Sequence, residues 1–330
     1  MKKILITGGC GFIGHNLALH LSRLKYDVTI LDSLTINNLY ASDLEDIKNK
    51  ELYKKILEER LRIIKENKIP LIIQDSRDYD AYVGHCQKIK PKVIIHLAAV
   101  SHSNKSNKDP HTTFDNSLRT LENTLDIAKV NKTQVIYLSS SMVYGNFKSE
   151  KVNESTNCNP IGIYGNLKLA GEMIVKSYGQ VFDLPYTIIR PSALYGERCV
   201  SRRVGQIFIE SIISKLPIDI NGSGEEKLDF TYIDDLVEGI TKCIDNQNAF
   251  KEIFNVTFGD SQPINKLIEI LKDEFGEFKL NYKPKEKLIP SRGTLDISKA
   301  KKILDFNPNY PIEIGYRKYI NWYKAFGKIN

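Results

Sequence analysis

Ile4-Leu5-Ile6-Thr7-Gly8-Gly9-Cys10-Gly11-Phe12-Ile13-Gly14 decides the fold. Ile4–Thr7 is a short, continuously apolar run of the kind that forms a strand buried on both faces of a parallel sheet. Glycines stand at 8, 11 and 14, and a helix-like stretch, His15 to Leu24, comes directly after them. With no Cβ in the way, such a turn closes tightly, brings backbone amides up to a pyrophosphate and lets the helix pack close on the sheet. Glycine spacing by itself also suits an ordinary strand-to-helix turn. Asp32 separates the two readings, because it ends the next strand about 20 residues further on, where a carboxylate receives the hydroxyls of an adenosine ribose. The same negative charge repels a 2′-phosphate, so NAD is the expected cofactor rather than NADP.

Outward from that stretch, Val28–Leu31, Leu71–Ile73, Val93–His96 and Val135–Leu138 read as further buried strands, separated by segments of helical period. This alternation predicts an α/β chain with a Rossmann-type, doubly wound parallel sheet. After Arg190-Pro191 the alternation becomes irregular and richer in Gly, Pro and charge. Residues 1–190 are therefore expected to form the dinucleotide-binding domain. Residues 191–330 are expected to form a smaller α/β substrate-binding subdomain, with some segments returning to the first. Between the second and third strands lies a charged stretch, Ala41 to Lys68, in which Leu44, Ile47, Leu52, Ile56 and Ile63 have amphipathic helical spacing. It predicts an inserted helical flap or packing arm.

Composition narrows the function further. A chain of 330 residues, 42% of them apolar, buries a sizeable core. Its net charge of +7 is modest, and its lysines alternate with Glu and Asp, which suits small anionic ligands and not nucleic acid. The five cysteines are far apart, with no Cys-x-x-Cys pair, and the six histidines contain no i, i+4 pair. No metal site and a reducing compartment are expected. No apolar run approaches the roughly 20 residues that span a bilayer, so the expectation is a soluble, cytoplasmic protein with no membrane partner.

Two Tyr-x-x-x-Lys matches occur, Tyr144/Lys148 and Tyr164/Lys168. Tyr144 precedes Gly145 in an expected turn, where positions i and i+4 need not face each other. Tyr164 opens a stretch with helical period as far as Tyr178, and on a helix i and i+4 share a face. Tyr164 with Lys168 is therefore the expected catalytic pair. A phenol with an ordinary pKa of about 10 needs roughly 4 kcal/mol of preferential stabilisation of its anion to act as a base near neutrality. An ammonium at about 4 Å in a medium of effective dielectric about 20 supplies energy of that order. Ser140, at the end of the preceding strand, is placed to hydrogen-bond the same substrate oxygen.

The glycine loop, Asp32, His96-Leu97-Ala98-Ala99, Ser139-Ser140-Ser141-Met142-Val143-Tyr144-Gly145, Tyr164/Lys168 and Arg190-Pro191 resemble, in order, the extended short-chain dehydrogenases, the family of nucleotide-sugar epimerases and dehydratases. Asp229-Phe230-Thr231-Tyr232-Ile233-Asp234-Asp235 and Asp296-Ile297-Ser298-Lys299-Ala300 carry the resemblance to the C-terminal part, so it covers nearly the whole chain. It implies Tyr164 as base, Lys168 as its activator and a ligand of the nicotinamide ribose, and Ser140 as the hydroxyl partner. It also implies Gly8, Gly11, Phe12, Ile13, Gly14 and Asp32 along the cofactor, Asp75 and Ser76 at the adenine, and Leu97, Ala98 and Ala99 lining it. Ser101 and Ser141 are the expected sugar contacts. The resemblance further implies a homodimer through the Tyr164 helix and a helix from Thr112 to Val130, and a role in surface-polysaccharide precursor synthesis.

Departures from the family pattern point to the reaction. Dehydratases of this family place an Asp-Glu pair where Ser141 and Met142 stand, and decarboxylases a glutamate at the second of these positions. What remains resembles a C-4 epimerase working through a 4-keto intermediate, on a nucleotide-diphosphate sugar. The alternatives are a 4,6-dehydratase or 4-oxidoreductase on the same fold, and a non-catalytic NAD-binding protein, against which an intact Ser140, Tyr164 and Lys168 argue. The family's phosphate-contacting Asn and Arg are replaced by Ala193 and Leu228. Arg202, Arg203 and Arg292 are candidates to compensate, since guanidinium groups suit phosphate oxygens; solvent-facing arginines are the other reading of each. Titration of apo-protein with both dinucleotides tests the Asp32 reading: NAD binds more tightly than NADP, and the reverse order overturns it.

Overall fold

The structure, a computed structural model, describes residues 1–41, 49–101, 103–285 and 288–326. Its centre is a seven-stranded parallel sheet of β1 (Lys3–Thr7), β2 (Asp27–Asp32), β3 (Leu71–Ile73), β4 (Val93–His96), β5 (Gln134–Leu138), β6 (Tyr186–Arg190) and β7 (Glu252–Asn255), in the order β7-β6-β5-β4-β1-β2-β3. Each strand is apolar on both faces because helices cover both. Ile4 and Ile6 of β1 belong to one core and Leu5 to the other. The first core includes Leu17 of α1 (Phe12–Arg23) and Leu236 of α7 (Ile233–Cys243). The second includes Tyr82 of α3 (Tyr79–Ile89), Leu121 and Leu125 of α4 (Thr120–Val130) and Val175 of α5 (Gly162–Val181). The strand order reverses between β1 and β4, and in such sheets the crevice beyond the strand carboxyl ends is where ligands bind.

Three features add detail to the sequence expectations. The sheet takes β7 from beyond residue 190: Glu252–Asn255 pairs in parallel with Thr187–Arg190. The expected helix from Thr112 to Val130 is built in three pieces, Pro110–Phe114, a widened π-type turn at Asp115–Arg119, and α4. There the Thr120 hydroxyl shares its hydrogen between the Asn116, Ser117 and Ala98 carbonyls, at 3.0, 3.2 and 3.1 Å. The inserted arm is helical over Lys50–Glu66, α2, and is docked rather than free. Tyr53 donates to Glu210 of α6 (Val204–Ile213) at 2.9 Å, and Tyr323 of the C-terminal helix α8 (Ile312–Phe326) reaches the same carboxylate at 2.8 Å. Leu44 and Ile47, which entered the amphipathic pattern, lie outside the described residues.

Under α5 lies an ion pair removed from water: Arg190 donates to Glu172 at 2.8 and 2.6 Å, with side chains 2% and 0% exposed. Breaking such a pair from one side strands a buried charge. Glu172→Gln is therefore expected to cost about 3 kcal/mol. Urea unfolding checks it, and a loss below about 1 kcal/mol, the range of a surface pair, contradicts it.

Candidate active site

The cofactor half of the site begins at the glycine turn. Gly8 has φ +69°, and a Cβ there would sit 2.8 Å from the Ala98 amide nitrogen, so β4's exit, Leu97 to Ala99, lies directly against the turn. Gly11 caps α1 without a side-chain hydrogen bond, and no acidic residue occupies the first turn. Its free amides and positive dipole end are thus available to an anion. Asp32 is buried, with one carboxylate oxygen accepting from the Cys10 amide and the other from the Leu34 amide, both at 2.8 Å. Burial raises its pKa, against those two amides and the Arg60 guanidinium.

Gly8, Gly11, Asp32 and Leu97 to Ala99 line one cleft with Phe12, Ile13, Gly14, Asp75, Ser76, Ser101, Asn116, Thr120 and Arg203. At its far end burial pushes the Asp75 carboxyl up, but the Arg77 side chain and amide outweigh this and hold it low. Ser76 is buried, and its carbonyl accepts from Asn123 at 2.9 Å. Donors at the helix end, a carboxylate at the end of β2 and apolar walls together fit a dinucleotide, with Asp32 at the ribose and the glycine turn at the pyrophosphate.

The chemical half is built where β5 meets α5. Tyr164 lies in the first turn of α5 and Lys168 one turn on. Burial raises the Tyr164 phenol, while the Arg203 charge and the Ser140 hydroxyl pull it down. Burial lowers Lys168 to about 8, with Glu172 opposing. Its ammonium donates to the Leu138 carbonyl at 2.6 Å and lies 5.1 Å from the Tyr137 ring centroid. Arg203 is a cation that acts on the Tyr164 phenol in addition to the expected Lys168. His96 below is neutral, lowered to about 3 by burial and the Lys168 charge. The competing pair separates: Tyr144 is buried and donates to Asn255 at 2.8 Å with the Arg190 guanidinium over its ring, while Lys148 is exposed.

Of the expected substrate contacts, Ser101 reaches the cleft and accepts from Asn37 at 3.1 Å. Ser141 is buried and donates to Ser192 at 3.2 Å. Arg202 is exposed, its amide tied to Gln206 at 2.9 Å, whereas Arg203 lines the cleft. Arg292 comes near enough that burial and the Arg203 charge lower it to about 10. Both Arg203 and Arg292 have a buried Nε with no partner among the described residues. Leu228 is packed in the main core and Ala193 against it, so neither position offers a polar group. Sequence reasoning missed Arg60, Asn116 and Thr120. Arg60 had a signal: it stands on the stripe Tyr53, Ile56, Leu57, Ile64 of α2, a charge on a buried face.

The model of the NAD-dependent epimerase/dehydratase family matches residues 4–257. The chain belongs to this family. As a family member it is an NAD-dependent enzyme. YtcB of Bacillus subtilis, named as an uncharacterized UDP-glucose epimerase, is 30% identical over 95% of both chains. UDP-glucuronate 4-epimerase 6 of Arabidopsis thaliana is 26% identical over 98% of this chain and 72% of its own. The crystal structure of UDP-glucuronic acid 4-epimerase from Bacillus cereus, in complex with UDP-glucuronic acid and NAD, is 26% identical, with a TM-score of 0.88 over 98% of this chain and 99% of that one.

Tyr164→Phe removes the proton acceptor and keeps the ring, so turnover in this epimerase/dehydratase is expected to fall about 10²-fold or more with NAD binding retained. Tyr144→Phe is expected to keep turnover within about a factor of ten and to lose about 1 kcal/mol of stability with its buried hydrogen bond. Steady-state kinetics with thermal unfolding checks both, and reversed effects assign the base to Tyr144.

Proposed function

We propose that this protein is an NAD-dependent nucleotide-sugar epimerase that inverts C-4 through a 4-keto intermediate. The observation that carries the reading is the pairing of Ser140, Tyr164 and Lys168 with Ser141 and Met142 at the turn beside them. Tyr164 takes the proton of the C-4 hydroxyl while Ser140 hydrogen-bonds the same oxygen. Arg203 from the cleft and Lys168 from the next turn of α5 favour the resulting phenolate electrostatically. NAD, when bound, would supply reversible hydride acceptance at C-4, and return of the hydride to the opposite face of the keto sugar would give the epimer. Lys168 would hold the nicotinamide ribose, Asp32 the adenosine ribose, and Asp75 and Ser76 the adenine end. Elimination of water needs a proton donor and a base beside C-5 and C-6, and Met142 has neither while the Ser141 hydroxyl is spent on Ser192.

The relatives named for UDP-sugars support a uridine or similar diphosphate as the activating group. Arg203 and Arg292 hold that diphosphate in our reading, each with an unspent Nε, and Arg202 does not. Residues 1–190 would bind the dinucleotide and 191–330 the sugar. Apolar side chains left exposed on the helices around α5, Phe114, Val130, Met173 and Val181, support a homodimer through that face. A cytoplasmic role in supplying surface-polysaccharide precursors completes the reading.

Incubating the purified protein with UDP-hexoses and UDP-hexuronates, without added cofactor, and following the products by NMR tests it. The C-4 epimer is expected with no change in mass. Loss of water assigns the dehydratase reaction instead, and a stable keto sugar formed only with added NAD assigns a net oxidoreductase. Arg203→Ala and Arg292→Ala are expected to weaken substrate affinity by about 1.5–3 kcal/mol each, the range for a charge-assisted hydrogen bond, with NAD affinity unchanged. Arg202→Ala is expected to leave both unchanged.

A further inference from the structure

Arg60 belongs to none of the roles above, yet it is 1% exposed, charged, and part of the cofactor cleft. It comes from α2, the inserted arm, which packs on α1 through Ile64, on Ala41 and Val200 through Ile56 and Leu57, and reaches Glu210 of α6 through Tyr53. Its Nε donates to the Arg198 carbonyl at 3.0 Å, and its Nη2 reaches the same oxygen. Its Nη1 reaches the Cys10 carbonyl at 3.5 Å, at the edge of hydrogen-bonding range. Cys10 is also the residue whose amide donates to the Asp32 carboxylate at 2.8 Å. One peptide-linked residue in the glycine turn is therefore gripped from both sides, by Asp32 through its N–H and by Arg60 through its C=O. Arg198 lies in the segment that leads to Arg203, so the same guanidinium ties the dinucleotide turn to the sugar side of the cleft.

We propose that Arg60 is a positioning residue of the cofactor site: from the inserted helix its guanidinium braces the Cys10 carbonyl and the Arg198 carbonyl, so that the glycine turn, held to Asp32 through the Cys10 amide, keeps its place at the adenosine ribose. Its charge adds to this, because it opposes the effect of burial on the Asp32 carboxylate. This rests on the reading of Asp32 as the ribose ligand. The charge argument is consistent with the surroundings. Asp32 faces the Cys10 thiol from the glycine turn and the Arg60 guanidinium from α2. Arg60 in turn faces Arg198 and Cys199, and also His15 of α1. Burial pushes the Cys10 thiol far up and the His15 imidazole far down, so neither carries charge near neutrality. Burial lowers Arg60 only to about 10, so it stays protonated. Arg60 is then the one cation acting directly on Asp32 among the described residues.

The test measures NAD binding to apo-protein by calorimetry from pH 5 to 8.5 for the wild type, Arg60→Met, Arg60→Lys, Asp32→Ala and, as a docking control, Tyr53→Phe. Arg60→Met fills the same space without charge and is expected to weaken NAD binding about tenfold at pH 7.5, the loss of one charge-assisted contact. It is also expected to move the acid limb of NAD binding up by about one pH unit, because a buried carboxylate without its cation takes up a proton at higher pH. Arg60→Lys is expected to restore the position of that limb and only part of the affinity, since it keeps the charge and loses the fork. Tyr53→Phe loosens the arm at Glu210 and is expected to lower thermal stability with both NAD readouts as in the wild type. Wild-type affinity and acid limb in Arg60→Met, with NAD binding lost in Asp32→Ala, overturns the role of Arg60 and leaves that of Asp32 standing. Wild-type binding in Asp32→Ala overturns both. Equal shifts in Tyr53→Phe and Arg60→Met overturn the inference in favour of simple packing by the arm.

Discussion

Three consecutive residues at the end of β5 grip three residues one turn apart on α5. The Leu138 carbonyl accepts from Lys168, the Ser139 hydroxyl donates to Glu172 at 2.5 Å, and the Ser140 hydroxyl meets the Tyr164 phenol. Positions 164, 168 and 172 share one helix face, whereas successive residues of a strand point to opposite faces, so the backbone of β5 contributes where its side chains cannot. Beneath this contact Glu172 is closed off by Arg190 of the neighbouring strand β6. A shift of α5 by one residue would leave that ion pair unmatched, at a cost of several kcal/mol. The register of the catalytic helix therefore depends on a buried charge that takes no part in the chemistry. Helix and strand lie unusually close, since a side chain at Gly171 would collide with the Tyr137 ring.

That closeness sets the electrostatics of the cleft. Burial alone works against catalysis, because it raises the Tyr164 phenol and lowers the Lys168 ammonium, each toward its neutral form. The opposing effects come from neighbours: Arg203 and Ser140 on Tyr164, Glu172 on Lys168. The site is a buried, cation-rich cleft whose arginines keep unspent donors. A doubly charged diphosphate suits it on both charge and hydrogen-bond grounds. In the proposed reaction one positive field would serve both a diphosphate and Tyr164, since Arg203 lines the cleft and acts on the Tyr164 phenol.

The inserted arm shows how a chain segment remote from the glycine turn enters the site. Its docking on α6 is polar: Tyr53, Gln206, Glu210 and Tyr323 form a buried hydrogen-bonded cluster at 2.8 to 2.9 Å. Buried polar groups satisfied in this way fix one arrangement more sharply than an apolar contact would. The cluster also sets the loop before α6, because Gln206 accepts from the Arg202 amide. That hydrogen bond turns Arg202 outward and leaves Arg203 on the cleft.

The sequence by itself determined the parallel sheet, the glycine turn before Asp32, and the placing of Tyr164 and Lys168 one turn apart on a helix, which Tyr144 and Lys148 are not. These are local signals: an apolar run of strand length, glycines at short spacing, and i, i+4 on a helix require only the chain's own geometry. Even the absence of an acidic pair at Ser141-Met142 was legible, since a missing functional group is missing in any fold. Which of the candidate arginines faces the cleft was decided by tertiary structure. Arg202 and Arg203 are neighbours with the same chemistry, and a hydrogen bond from the Arg202 amide to Gln206 separates them. The tie of Lys168 to Leu138, the return of Glu252–Asn255 to the sheet edge and the entry of Arg60 into the cofactor cleft all join residues far apart in sequence. No periodicity encodes such pairs, because each exists only once the helices have packed on the sheet and water has been excluded from between them.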